Sequence, residues 1–258
     1  MNVVLFSNNR TKQANSMDKF ALFIITFRLT HICILIRSDS IMKLALFDLD
    51  NTLIAGDSDC LWGEFLSDHG YIDSETYKLN HEKYYKDYLN GELDINAFLE
   101  FQLKALADND KTLLETWRKN YIEEKVRPVF LPKANELIED HRQKDHELII
   151  ITATNRFITQ PIADEFNIDT LIACEPELLN GQYTGRVVGT PSFAKGKVTR
   201  FHQWLAKLDK MPEEVWFYSD SHNDIPLLSV VDNPIAVDPD ERLREVARSK
   251  GWPVISLR

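Results

Sequence analysis

Apolar residues along this chain follow two regimes. From Asp57 to about Val126 they recur at three- and four-residue intervals, so that Ile95, Phe98, Leu99, Leu103 and Leu106 would line one face of a helix. β-Branched residues are sparse there, Gly70 interrupts the pattern, and "DSET" offers Asp73 or Ser74 as a cap with acidic residues in the first turn. The segment predicts a bundle of about four helices. Elsewhere the apolar residues gather into short continuous runs. "KLALF" at 43–47 is one, and after Pro128 come "ELIII", "TLIAC", "VWFYSD", "NPIAV" and "WPVISL", each followed by a polar turn or a helical stretch. Runs of this kind suit strands buried on both faces. Asn180-Gly181 in "ELLNGQYTGRVV" is a hairpin signal.

Strands alternating with helices imply an α/β fold with a parallel sheet covered on both sides. The sheet domain would comprise residues 42–57 together with 127–258, and the helical segment 58–126 would be inserted after its first strand. Open parallel sheets bind ligands beyond the carboxyl ends of their strands. Asp48, Asp50, Thr152 and Asp220 each stand at such an end, although they are far apart in sequence.

The first 41 residues break the pattern. "FALFIITFRLTHICILI", residues 20–36, is apolar but is interrupted by Arg28 and His31, and it falls short of the roughly 20 residues that span a bilayer. No small-residue cleavage site follows it, as a signal peptide would require. Met42, directly ahead of "KLALF", reads as the true start, and residues 1–41 as a non-native or disordered leader. A membrane is thus not an expected partner.

Composition narrows the function. A chain of 258 residues with 44% hydrophobic content buries a core. Its formal charge of −10 disfavours a nucleic-acid surface, which needs clustered Lys and Arg, and fits an acidic cytoplasmic enzyme. Cys33, Cys60 and Cys174 are odd in number and widely spaced, so they form neither a zinc pattern nor a disulfide framework. No feature of the sequence bears on oligomeric state.

The acidity is concentrated where chemistry would sit. "FDLDNT" puts Asp48 and Asp50 after the first strand, and "SDSHND" puts Asp220, Asn223 and Asp224 after a later one. Carboxylates converging at a sheet edge raise one another's pKa unless a cation neutralises them. Mg²⁺, with its oxygen ligands and retained waters, suits such a set, whereas zinc would want His or Cys.

"FDLDNT", Thr152 in "IIITATN", the lysines of "FAKGKV" and "SDSHND" resemble, in order and spacing, the four motifs of the haloacid dehalogenase superfamily of phosphatases, across essentially residues 42–258. The resemblance implies a Rossmann-like parallel sheet core with an inserted all-helical cap, like the small cap of the phosphoserine phosphatase branch. It makes Asp48 the nucleophile that forms an aspartyl-phosphate, and Asp50 the acid and then the base. Mg²⁺ would be held by the Asp48 carboxylate, the Asp50 carbonyl and Asp220, with Asn223 and Asp224 in support. Thr52 would fix the loop, and Thr152 would hydrogen-bond the transferring phosphoryl group. Aligning on "AKG" selects Lys195 as the phosphate's cation, whereas aligning on "GKV" selects Lys197, the preferred choice. A dehalogenase would have no use for Asp50.

The substrate implied is a small phosphorylated metabolite. Phosphoserine phosphatases carry a cap arginine for the substrate carboxylate, yet "NAFLEFQLKALA" has none, only Gln102 and Lys104. An amine-bearing phosphate without a carboxylate fits better, L-histidinol phosphate above all, and "DLDNTLIAGDSD", "ITATNRF", "YSDSHND" and "GWPVISLR" are similar to bacterial histidinol-phosphatase-like members. Asp57, Asp59 and Glu64 would then contact the amino group or the imidazole. Asp59 or Glu64 would equally serve to begin the next helix. Arg156 reads as a surface charge, and Trp62 and Tyr84 as core aromatics more than as stacking partners.

Overall fold

Strand β1 (Lys43–Phe47) is a run of alternating faces: Ala45 and Phe47 enter one apolar cluster and Leu44 and Leu46 the opposite one, all fully buried. A strand apolar on both sides has to lie inside a sheet with a layer packed on each face. In the computed structural model of the protein, which describes residues 42–258, β1 is that central strand. The readings made for residues 1–41 lie outside the described residues.

Around it β2 (Glu147–Asn155), β3 (Thr170–Leu179), β4 (Gln182–Val188), β5 (Glu214–Ser219), β6 (Asn233–Val237) and β7 (Val254–Ile255) form one seven-stranded sheet in the order β4-β3-β2-β1-β5-β6-β7. Every pairing is parallel except β3 with β4. Those two make the hairpin that Asn180-Gly181 announced, with both residues at positive φ, 52° and 84°, as a tight two-residue turn requires. "TLIAC" covers only the buried half of β3, which continues through Leu179 as an exposed hairpin arm.

Between β1 and β2 the chain makes four helices, α1 (Ser58–Asp68), α2 (Ser74–Asn90), α3 (Ile95–Asp108) and α4 (Lys111–Tyr121), then a wide turn over Ile122–Val126 and α5 (Pro132–Gln143). The four-helix expectation matches this count. Entry and exit of the segment meet: Ala55 N donates to Val129 O at 2.7 Å, and Ile54 bridges Phe130. The helices differ in attachment. Trp62 and Phe65 of α1 and Tyr121 of α4 are buried in the cluster that also holds Ala45 and Phe47, whereas α2 buries no residue at all.

Helices α6 (Arg156–Glu165), α7 (Lys195–Leu205), α8 (Ile225–Leu228) and α9 (Glu241–Lys250) complete the two layers. Aspartate carboxylates cap α1, α2, α3, α4 and α9 through Asp57, Asp73, Asp94, Asp110 and Asp240. Part of the acidic excess is thus structural, each carboxylate satisfying amides that a helix start leaves open. Cys60 and Cys174 are free thiols. Among the described residues, no helix is long and apolar enough to cross a membrane.

Candidate active site

The sheet changes winding direction at β1, whose neighbours β2 and β5 lead away on opposite sides. The carboxyl ends of these three strands open a crevice. It is a cavity of about 580 Å³, with a polar floor from Asp48, Asp50, Thr152, Lys197, Asp220 and Asp224, and a roof from His81, Tyr84, Tyr85 and Tyr88 of α2 and Phe98 of α3. A volume of this size suits a small metabolite.

On the floor, the Lys197 ammonium lies 2.8 Å from Asp48 Oδ1 and 2.7 Å from Asp224 Oδ2, with the lysine only 3% exposed. Ser219 Oγ donates to the same Asp224 oxygen at 2.7 Å. Burial works against the lysine's charge, but Asp224 and Asp48 outweigh it and hold its pKa above the usual lysine value. Lys195, two positions earlier, is exposed.

Local backbone dictates which lysine enters. Helix α7 begins after Ala194, held at φ 47°, and a Cβ on Gly196 would lie 2.0 Å from Pro191 O. Only glycine permits this approach, so "AKGK" is a tight turn that aims Lys197 inward.

Asp50 is immobilised separately. Its Oδ1 accepts Ser58 N at 2.7 Å, and its Oδ2 accepts Thr154 Oγ1 at 2.9 Å and Thr152 Oγ1 at 3.2 Å. Thr52 Oγ1 accepts the Asp220 amide and donates to Asp220 Oδ1, both at 3.1 Å, which ties the β1 loop to the β5 loop. Asn223 lines the cavity beside Asp224.

The floor carries more negative charge than Lys197 balances. Burial, followed by the charge of Asp224, pushes the Asp220 carboxyl up to about 7. Asp48 is likewise raised well above the carboxylate range by burial and by Asp224, Asp220 and Asp50, against the pull of Lys197. A hard cation would relieve this crowding, and the donors available to it are all oxygen, as Mg²⁺ prefers. Among the described residues, no three His, Cys, Asp or Glu side chains form a ready cage. The crowded carboxylates on the floor are those of Asp48 and Asp220.

Asp59 is buried in the cavity wall, where Asn155 Nδ2 reaches its Oδ1 at 3.2 Å, and burial with the charges of Asp57 and Asp50 raises its pKa well above normal. Asp57 lines the rim and caps α1 through Cys60 N. Glu64 is exposed and does not line the cavity. Arg156 spends its guanidinium on Glu175, Gln160 and Leu171 O. Trp62 is packed among Phe65, Tyr121 and Phe157, whereas Tyr84 faces the cavity.

Several lining residues went unnoticed in the sequence. Thr154 is visible in retrospect, since it repeats Thr152 at the two-residue period of a strand. His81, Tyr85 and Tyr88 fall at helical spacing around Tyr84, which reads as core in the sequence, and Tyr88 OH meets Ser221 Oγ at 2.6 Å. Arg258 and Asp238 also line the cavity; no local pattern announces residues that only the fold brings there.

The sequence matches the haloacid dehalogenase-like hydrolase family over residues 45–229. A histidinol-phosphatase of Neisseria meningitidis serogroup C is 42% identical over 220 residues, spanning 84% of this chain and 99% of that protein. Phosphoserine phosphatase SerB1 of Mycobacterium tuberculosis is 29% identical over 220 residues, spanning 83% and 70%. Among solved structures, a protein of unknown function from Bordetella pertussis Tohama I superposes with TM-score 0.80 at 40% identity, covering 85% of this chain and all of that one. A phosphoserine phosphatase in a phospho-aspartyl intermediate analogue form shares the fold, with TM-score 0.63 at 18% identity over 85% and 95% of the two chains. With strand-end carboxylates and a buried lysine on an α/β sheet, and a family match over most of its length, this chain belongs to the haloacid dehalogenase-like hydrolases.

Proposed function

We infer that the protein is a Mg²⁺-dependent phosphomonoesterase whose substrate is a small amino-alcohol phosphate, with L-histidinol phosphate the best fit. The observation that carries this reading is the pairing of a buried Asp48–Lys197–Asp224 floor with an aromatic roof that offers no arginine.

In the first half-reaction an Asp48 carboxylate oxygen attacks phosphorus as the ester P–O bond breaks. The proton of Asp50 passes to the departing alkoxide, which makes it an adequate leaving group. In the second half, Asp50 takes a proton from water as that oxygen bonds to phosphorus and the Asp48–phosphorus bond breaks. Ser58 N and Thr154 Oγ1 hold Asp50 throughout, at 2.7 and 2.9 Å. Lys197 neutralises equatorial phosphoryl oxygens, and the Thr152 hydroxyl can turn from Asp50 towards them. Asp48, the Asp50 carbonyl and Asp220 would hold Mg²⁺, supported by Asn223 and Asp224; it would offset phosphoryl charge in the transition state.

Helices α1 to α4 act as the cap that excludes water and selects substrate. A ligand ammonium would relieve the crowding of Asp57 and Asp59, and the rings of Tyr84 and Tyr88 would flank an imidazole. Of the rim residues, Arg258 already spends its guanidinium on Asp238 and Asn51 O, so it offers a substrate carboxylate no open fork. The 42% identity to a named histidinol-phosphatase supports the same choice.

Phosphate release from L-histidinol phosphate and L-phosphoserine, with and without Mg²⁺, tests the reading. We expect Mg²⁺-dependent release with kcat/KM at least about tenfold higher for L-histidinol phosphate. Equal or greater efficiency on L-phosphoserine would overturn the substrate assignment.

A further inference from the structure

Among the described residues, eight aspartates line the cavity, and besides Lys197 one further permanent cation does so, Arg258. Its guanidinium bridges two loops. Nη1 lies 2.9 Å from Asp238 Oδ2, beyond β6, and Nη2 donates to Asn51 O at 3.1 Å, in the turn that follows Asp50. Both partners sit in left-handed turns, Asn51 at φ 57° and Asp238 at φ 41°, a region that asparagine and aspartate enter more readily than other non-glycine residues.

The arginine itself is firmly placed. Leu257 is buried and its amide donates to Asp238 Oδ2 at 3.0 Å, while Lys133 Nζ donates to the carbonyl of Arg258. The loop it grips is also bound to the opposite wall, since Asp240 N donates to Asp220 O at 2.9 Å and Asp240 Oδ2 accepts His222 N at 2.7 Å. Arg258 therefore closes a ring of loops around the floor: 50–52, 220–222 and 238–240.

We propose that Arg258 is a positioning residue for phosphoryl transfer, acting through Asn51 to hold the turn that carries Asp50. It touches neither substrate nor reacting atoms in this role. Without it the Asn51 carbonyl loses its charged donor and its link to Asp238, the 50–52 turn loosens, and Asp50 departs from its aim. Loss of aim lowers the rate of the bound complex more than its formation.

The kinetic part of this inference rests on the phosphatase reading; its structural part does not, and the experiment separates them. In R258A, amide hydrogen exchange of the 49–56 turn, which includes the Asn51 N to Gly56 O bond, should accelerate while the β1 and β5 amides keep wild-type protection. With L-histidinol phosphate, kcat should fall about tenfold to a hundredfold with KM within about threefold. Because the side chain is 40% exposed, millimolar guanidinium should restore part of kcat while equal sodium chloride does not, and R258K should lie between. Wild-type exchange in the turn would overturn the inference whether or not any phosphoester is hydrolysed. So would unchanged kcat, a rise in KM alone, or a kcat loss that guanidinium leaves untouched. Absence of turnover in the wild type overturns the phosphatase reading instead, and the exchange result still decides the role of Arg258.

Discussion

A methyl group on Gly196 would lie 2.0 Å from Pro191 O, where side-chain carbons essentially never come closer than 3.0 Å. G196A must therefore move the 191–193 loop or the start of α7 by about 1 Å, and overpacking of this kind costs about 1–3 kcal/mol. For a domain of this size the melting temperature should fall by roughly 2–12 °C. The functional loss should be larger. Lys197 is the next residue, its stem is buried, and its contacts of 2.8 and 2.7 Å to Asp48 and Asp224 do not survive such a shift. Misplacement by about 1 Å can cost on the order of a hundredfold, so kcat/KM should drop by that order. Steady-state phosphate release beside a thermal melt reads both effects. G181A is the control: Gly181 is at positive φ, where a side chain is strained, but has no atom within 4 Å of the added carbon, so it should lose about 1–2 kcal/mol and no activity. G196A turning over at the wild-type rate would refute the claim that this turn aims the lysine.

Y88F removes the hydroxyl that meets Ser221 Oγ at 2.6 Å and joins α2 to the loop after β5; KM should rise about threefold to tenfold with the fold intact, and an unchanged KM would deny α2 a part in closure. His141 is buried between His146 and Tyr218, and burial lowers its pKa from the usual 6.5 to about 4. Below about pH 6.5 the unfolded chain takes up a proton that the folded protein refuses until about pH 4, so this group lowers stability by about 2–3 kcal/mol as pH falls across that window. The raised carboxylates Asp48 and Asp220 act in the opposite sense, so the effect is read as a difference: urea unfolding of wild type and H141Q should diverge in slope between pH 6.5 and 4, and parallel slopes would contradict the assignment.

The parts legible in sequence are those encoded locally. The two-sided burial of "KLALF", the Asn180-Gly181 turn and the helical period of 95–106 each follow from neighbouring residues, and each appears in the fold. The strand-end aspartates were visible because parallel strands bring their carboxyl ends together. The choice between Lys195 and Lys197 was not decidable from helical phase. It depends on Pro191 O, a backbone atom whose position no side-chain pattern records. Nor does sequence separate catalytic acids from structural ones, since Asp73 and Asp94 cap helices with the same carboxylate that Asp48 brings to the floor. Arg258 lay beyond local reading altogether: its partners Asn51 and Asp238 reach it only after the sheet has formed.

The central claim is covalent. Mixing enzyme, Mg²⁺ and L-histidinol phosphate, quenching in acid within one turnover and weighing the peptides should find one phosphoryl group on the peptide holding Asp48, sensitive to alkali as an acyl phosphate is, and none in D48N. Burst release of the alcohol with no phosphoryl group on that peptide, or with the group on another residue, would contradict the account.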